Sequence, residues 1–235
     1  MFLKRLLFKF KSSLQLFLGK GRISFSQCGE DRIILFLLQT LGIKQPTYLD
    51  IGANDPIEGN NTYLFFLLGS TGICVEPDPD LFDALIAKRP SDQCLNIGIN
   101  PEGEGLADFY IFPNPYKGWN TFSKEEALNR ENQSNVKPTM VSQITMQSIN
   151  KVMEERLGNA PDILSIDIEG LDSAVLRSID FKKFKPIIIC AETVKFDVGN
   201  KGEKDSEIRM YLESNGYFVY ADTWVNTIFC LKSYF

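Results

Sequence analysis

The chain has 235 residues, 44% apolar and 23% charged, enough hydrophobic material for one core, which excludes a disordered or collagen-like chain. A net charge of −5 argues against a general nucleic-acid binder, and the absence of any histidine excludes Ser-His-Asp and Cys-His triads and His-ligated zinc. Five cysteines without a C-x-x-C pair (Cys28, Cys74, Cys94, Cys190, Cys230) read as reduced thiols of a cytosolic protein, four of them inside apolar runs.

Residues 1–22 stand apart from the rest, 23–235. They carry six cations and no acid, leaving 19 basic and 30 acidic residues for the remainder. Leu3, Leu6, Leu7, Phe10, Leu14, Phe17 and Leu18 recur at helical spacing with the cations mostly opposite, which predicts an amphipathic helix. Charges interrupt every apolar run, so the segment can neither cross a bilayer nor serve as a signal peptide. Two readings stay open: the stripe packs on the domain, or it lies peripherally on anionic lipid at the inner face of a membrane. The next piece, Ser26 to Asp31, reads as a helix start ahead of the apolar helix Ile33 to Leu41, with Ser26 or Gly29 near the cap.

From Tyr48 onward short apolar runs alternate with helical patterns, which predicts an α/β domain with a mainly parallel sheet. The predicted strands are Tyr48–Ile51, Gly72–Glu76, Cys94–Ile99, Ile163–Asp167 and Pro186–Ala191, the last apolar on both faces as a central strand should be. Leu106 to Phe112 alternates and suits an inserted strand or hairpin arm. Helices are predicted over Thr62–Leu68, Asp80–Lys88, Ser148–Leu157, Leu171–Ile179 and Glu203–Ser214. Gly118 to Pro138 is polar and reads as a surface excursion over a site. Tyr217–Ala221 and Thr227–Lys232 are predicted to close the sheet as an antiparallel pair.

Ligands of open α/β sheets bind beyond the carboxyl ends of the strands, so the polar residues there are the candidates. The first strand ends in Asp50-Ile51-Gly52-Ala53-Asn54, where a glycine would let the backbone approach a ligand. The second ends in Glu76, an acid suited to the two hydroxyls of a ribose. Neither G-x-G-x-x-G nor a P-loop is present, so a nucleoside without pyrophosphate fits better, and S-adenosylmethionine is the natural candidate. Asp167, Glu169 and Glu192 end neighbouring strands about 5 Å apart. Three like charges in one cleft need relief from a divalent cation (magnesium or manganese), a shared proton or a cationic neighbour. The competing reading is that Glu169 or Asp172 caps the helix that follows.

Together the pieces FSQCGEDRIIL, YLDIGAND, NTYLF, GSTGICVEPDP, NIGI, ILSIDIEGLDSAVL and PIIICAET resemble the FkbM-type family of S-adenosylmethionine-dependent methyltransferases, in family order from about Phe25 to Thr193. The resemblance implies a class I, Rossmann-like sheet of seven strands, mainly parallel with the last antiparallel. It implies O-methylation of a sugar hydroxyl on a glycan or glycosylated metabolite. By the same resemblance Asp50, Gly52 and Asn54 would cradle the methionine part. Glu76 and Pro77 would meet the ribose, Asn96 and Ile97 would flank the adenine, and Gln27 would reach cofactor or substrate. The chain departs from the wider methyltransferase pattern at Asp55-Pro56, which shifts the expected carboxylate contacts to Asn61 and Thr62.

Without histidine the proton of an acceptor hydroxyl must go to a carboxylate, to a lysine, or be labilised by a cation. Asp167, Glu169 and Glu192 are the expected group, as base and as cation ligands, with Lys195 a weaker candidate. Trp119 would stack on a sugar ring, or else anchor its loop. The rival readings are a non-catalytic cofactor-binding or scaffold protein of the same fold, and methylation of a phenolic or lipid-linked acceptor.

Overall fold

The computed structural model describes residues 21–197 and 202–235. The predicted amphipathic helix over residues 1–22 lies, but for its last two residues, outside the described residues. Among the described residues no helix is long and apolar enough to cross a membrane.

Seven strands form one twisted sheet in the order β3-β2-β1-β7-β8-β10-β9. They are β1 (Tyr48–Ile51), β2 (Gly72–Val75), β3 (Gln93–Leu95), β7 (Ile163–Ile166), β8 (Ile188–Glu192), β9 (Tyr217–Asp222) and β10 (Asn226–Leu231). All neighbours pair in parallel except β10, which runs antiparallel to both β8 and β9. This is the class I methyltransferase topology that the resemblance implied. The central strands β1 and β7 are buried at every residue, as parallel strands covered on both faces must be. One core cluster joins Leu49, Ile51, Leu164 and Ile166 to helices Asp172–Ser178 and Ser206–Ser214. The other joins Tyr48, Ile163 and Ile188 to helices Glu30–Thr40 and Tyr63–Leu68.

Four elements differ from the sequence reading. The run Cys94–Ile99 is not one strand. It leaves the main sheet after Leu95, and Gly98–Ile99 becomes β4 of a second, three-stranded sheet of order β4-β6-β5. Asn96 is the reason: its amide donates to the carbonyls of Glu76 and Pro77 at 2.9 and 3.0 Å and turns the chain outward. The alternating run does form a hairpin arm, β5 (Gly105–Ile111), but its partner β6 (Met140–Gln147) was not foreseen. Finally, the polar excursion between them is partly regular. It holds the helix Lys124–Ser134, capped by Ser123 Oγ accepting from the Glu126 amide at 3.1 Å. The helix expected over Ser148–Leu157 is α-helical only to Val152 and finishes as a wider turn, Met153–Leu157.

Candidate functional site

A cleft of about 200 Å³ opens beyond the carboxyl ends of β1, β2 and β7. Its floor is the turn Gly52-Ala53-Asn54, whose first two amides both donate to Val75 O, at 3.0 and 3.1 Å. Gly52 has φ +77°, and a Cβ there would lie 1.8 Å from Asp167 O. The glycine was expected to make room for a ligand; the room it makes is for the neighbouring strand end, which can thereby fold against the turn. Asn54 is also left-handed, with φ 47°. Its amide donates to Glu76 Oε2 at 2.8 Å, and Asp78 N donates to Oε1 at 2.8 Å, so Glu76 is oriented by backbone on both oxygens. Burial pushes its carboxyl up to about 7 despite these bonds. Pro77, Ile97 and Gly98 complete this end of the cleft.

Of the residues expected to hold the methionine part, Asp50, Gly52, Asn54 and Asn61 line the cleft, whereas Thr62 does not. Thr62 is wholly buried behind β1, donating to Asp50 Oδ2 at 2.6 Å and accepting from Arg89 Nη2 at 2.8 Å. It belongs to a polar cluster built on the fully buried Arg89, which also donates to Asn60 Oδ1 and pairs with Asp92 at 2.7 Å. The expected direct contact from Thr62 is therefore corrected to a supporting one: it aims Asp50. Asn96 is likewise outside the lining, because its amide is spent on Glu76 and Pro77. Asn61 lines the cleft, but with its amide oxygen rather than a donor left free. Its Nδ2 donates to Ser165 Oγ at 3.3 Å, and its Oδ1 is buried without a partner.

Asp167, Glu169 and Glu192 converge, with one oxygen from each within 4.8 Å of the others. They stand where the cleft meets two further cavities of about 430 and 350 Å³. The loop that carries two of them is left-handed at Glu169 (φ 55°) and Gly170 (φ 101°). Asp172 shapes it by accepting from the amides of Ile168 and Gly170 at 3.1 and 3.3 Å, and it makes no cap bond of its own helix. Burial raises Asp167 to about 7 and Glu169 to about 8, and pushes Glu192 well up. Relief comes in part from a cationic neighbour that sequence reasoning missed. Arg130, fully buried, reaches Glu169 Oε2 with Nη2 at 2.6 Å, donates from Nη1 to Trp119 O, and lies 4.7 Å over the Phe196 ring. Nothing local marked it, since its helix is otherwise polar and largely exposed.

The excursion and the N-terminal strap close the site. Asn120 Nδ2 and Lys117 Nζ reach Asp78 Oδ2 at 2.9 and 3.2 Å, pinning the excursion to the end of β2. Trp119 packs on Tyr116, Phe112 and Phe196, with ring centroids 4.5, 6.0 and 5.2 Å away, and also lines the 430 Å³ cavity. Gln27 lines both this cavity and the cleft. The strap is held by a Ser26–Gly59 bridge and by Glu30, which accepts from Cys28 N at 2.9 Å and from Thr223 Oγ1 at 2.6 Å. Lys195 is exposed at the cavity mouth. The cysteines are free, with Cys28 exposed, Cys94 half-buried and the other three buried.

The family profile described as the methyltransferase FkbM domain matches residues 50–219. No curated protein matches the sequence. Among solved structures the chain is similar to the methyltransferase FkbM of Methylobacillus flagellatus, at 13% identity and TM-score 0.47, over 80% of this chain and 44% of that one. It is similar to a TehB-like SAM-dependent methyltransferase of Corynebacterium glutamicum, at 11% identity and TM-score 0.45, over 95% and 97% of the two chains. It is also similar to an O-methyltransferase of Bacillus cereus in complex with SAH, at 13% identity and TM-score 0.39, over 92% and 86%. The chain thus spans less than half the length of the first of these proteins.

Proposed function

Because the chain belongs to the FkbM family of methyltransferases, we propose that it carries a methyl group from S-adenosylmethionine to a sugar hydroxyl on a glycan or glycosylated metabolite. The cleft suits the cofactor by its acceptor groups. The unpartnered, buried Asn61 Oδ1 is an acceptor for an ammonium group, and Glu76 is an acceptor for ribose hydroxyls. When bound, the cofactor supplies an electrophilic sulfonium methyl.

The residues have two tasks. One is to hold an acceptor hydroxyl in line with the methyl, and the other is to take its proton. The observation that carries the reading is the convergence of Asp167, Glu169 and Glu192 at the junction of cleft and cavity. Arg130 engages Glu169 and leaves Asp167 and Glu192 as the freer pair to accept the proton. Trp119 and Phe196 give the cavity an aromatic wall against which a pyranose face can pack.

The test is transfer of a radiolabelled methyl group to glycan extracts, with and without EDTA. Glu192→Gln is expected to lower kcat by about 100-fold or more while SAH affinity stays within about threefold. Unchanged turnover removes Glu192 from the reaction, and SAH binding without turnover on any acceptor favours a non-catalytic role. Loss of activity in EDTA, restored by magnesium or manganese, would assign the three carboxylates to a cation. Activity that survives EDTA leaves the proton to the carboxylates alone.

A further inference from the structure

Cys74 on β2 and Cys94 on β3 are direct register partners on neighbouring parallel strands. Opposed residues in a sheet put their side chains on the same face, with Cα atoms about 5 Å apart, inside the range a disulfide spans. Both thiols are free. Cys94 is half-buried on the edge strand of the sheet, while Cys74 is wholly buried beneath it. We propose that Cys74 and Cys94 are a thiol pair that closes reversibly to a disulfide and weakens cofactor binding when it does.

The chemistry divides between the two residues. The Cys74 S–H, helped by the Arg89 guanidinium and opposed by burial and the Asp92 carboxylate, holds Cys94 below the ordinary thiol range, so the accessible cysteine is the better nucleophile. Its thiolate attacks a sulfur of a disulfide oxidant such as oxidised glutathione, forming a mixed disulfide and releasing one glutathione thiolate. Cys74 loses its proton, with Asp92 Oδ2 3.8 Å from its sulfur, and attacks Cys94 Sγ, releasing the second glutathione. The two cysteines lose two electrons and two protons, and one oxidised glutathione becomes two reduced ones.

The consequence follows from what each strand carries. β2 runs into Glu76, and β3 runs into Asn96 and Ile97, with Asn96 bonded to the carbonyls of Glu76 and Pro77. A disulfide holds its Cβ atoms about 4 Å apart, closer than the strand spacing, so the bond draws β3 inward. The shift disturbs the Glu76–Asn96 contact and the cleft wall at Ile97.

The inference of weakened binding rests on the cofactor site proposed above; the bond itself does not. The protein is treated with oxidised glutathione or diamide, quenched by alkylation in denaturant and mapped by peptide mass spectrometry, with SAH affinity measured in parallel by calorimetry. The expected result is a Cys74–Cys94 cross-link, and a Kd for SAH raised about tenfold, restored by dithiothreitol and absent in Cys94→Ser. Two unlinked thiols after oxidation would overturn the proposal, and so would a cross-link that leaves Kd unchanged. If the reduced protein fails to bind SAH, the cofactor site is wrong and the switch falls with it, while the map still decides the bond.

Discussion

At Gly52 one missing Cβ allows two strand ends to meet. Gly52→Ala puts a methyl 1.8 Å from Asp167 O at φ +77°, so backbone must move. We expect a loss of about 2–4 kcal/mol, read as a lower urea midpoint, with SAH affinity lost alongside. Glu76 makes a second prediction. Its carboxyl titrates near 7, and its ionised form is the better acceptor for ribose hydroxyls. SAH affinity should therefore rise with pH through about 7 and level off above it, and Glu76→Gln should bind weakly with a flat pH profile. A wild-type affinity that does not move between pH 6 and 8 contradicts this role.

The excursion is the element on which the acceptor side depends. Its helix was invisible as a core element, because it is polar and shows little amphipathic character. Tertiary structure uses it to deliver one residue, Arg130, to a strand-end acid. Arg130→Met would leave Glu169 half-buried and unpaired and release the Trp119 carbonyl. Breaking a buried pair in this way costs about 3 kcal/mol, somewhat less here because Glu169 keeps some solvent. The expected signature is faster proteolysis within residues 113–138 and a fall in kcat, with SAH affinity little changed. Equal loss of cofactor binding would show instead that the excursion forms the cleft. The strap around Gln27 has the same character. Its local pattern reads as a helix start and the helix does begin there, with Gly29 as its cap, yet Glu30 also reaches Thr223 nearly 200 residues on.

At the scale of the whole molecule the site is a concentration of buried and half-buried acids. Glu76 lies near 7, Asp172 near 6, Asp167 near 7 and Glu169 near 8, burial being the main cause in each. An acid whose folded value lies above its unfolded one stabilises the fold below the unfolded value. That contribution is lost as pH rises to the folded one. The free protein is therefore expected to lose stability from about pH 5 to about pH 8, read as a falling urea midpoint; a midpoint that rises over this range refutes the burial of these groups. SAH at 100 times its Kd should add about 2.7 kcal/mol at any one pH, a rise in Tm of several degrees.

Alternation of apolar runs and helical patterns was enough to predict the α/β class, because burial on both faces imposes a local signature on β1, β7 and β8 that no distant contact has to supply. The strand-end acids were legible for the same reason: once the strands are known, their last residues must crowd one edge of the sheet. The tertiary structure alone decided what those residues touch. It turned Thr62 inward to Arg89, bent the chain out of the sheet at Asn96, and brought Arg130 across 39 positions to Glu169. Hydrogen bonds and ion pairs between distant residues leave no periodicity in the chain, so they are decided only when the elements pack.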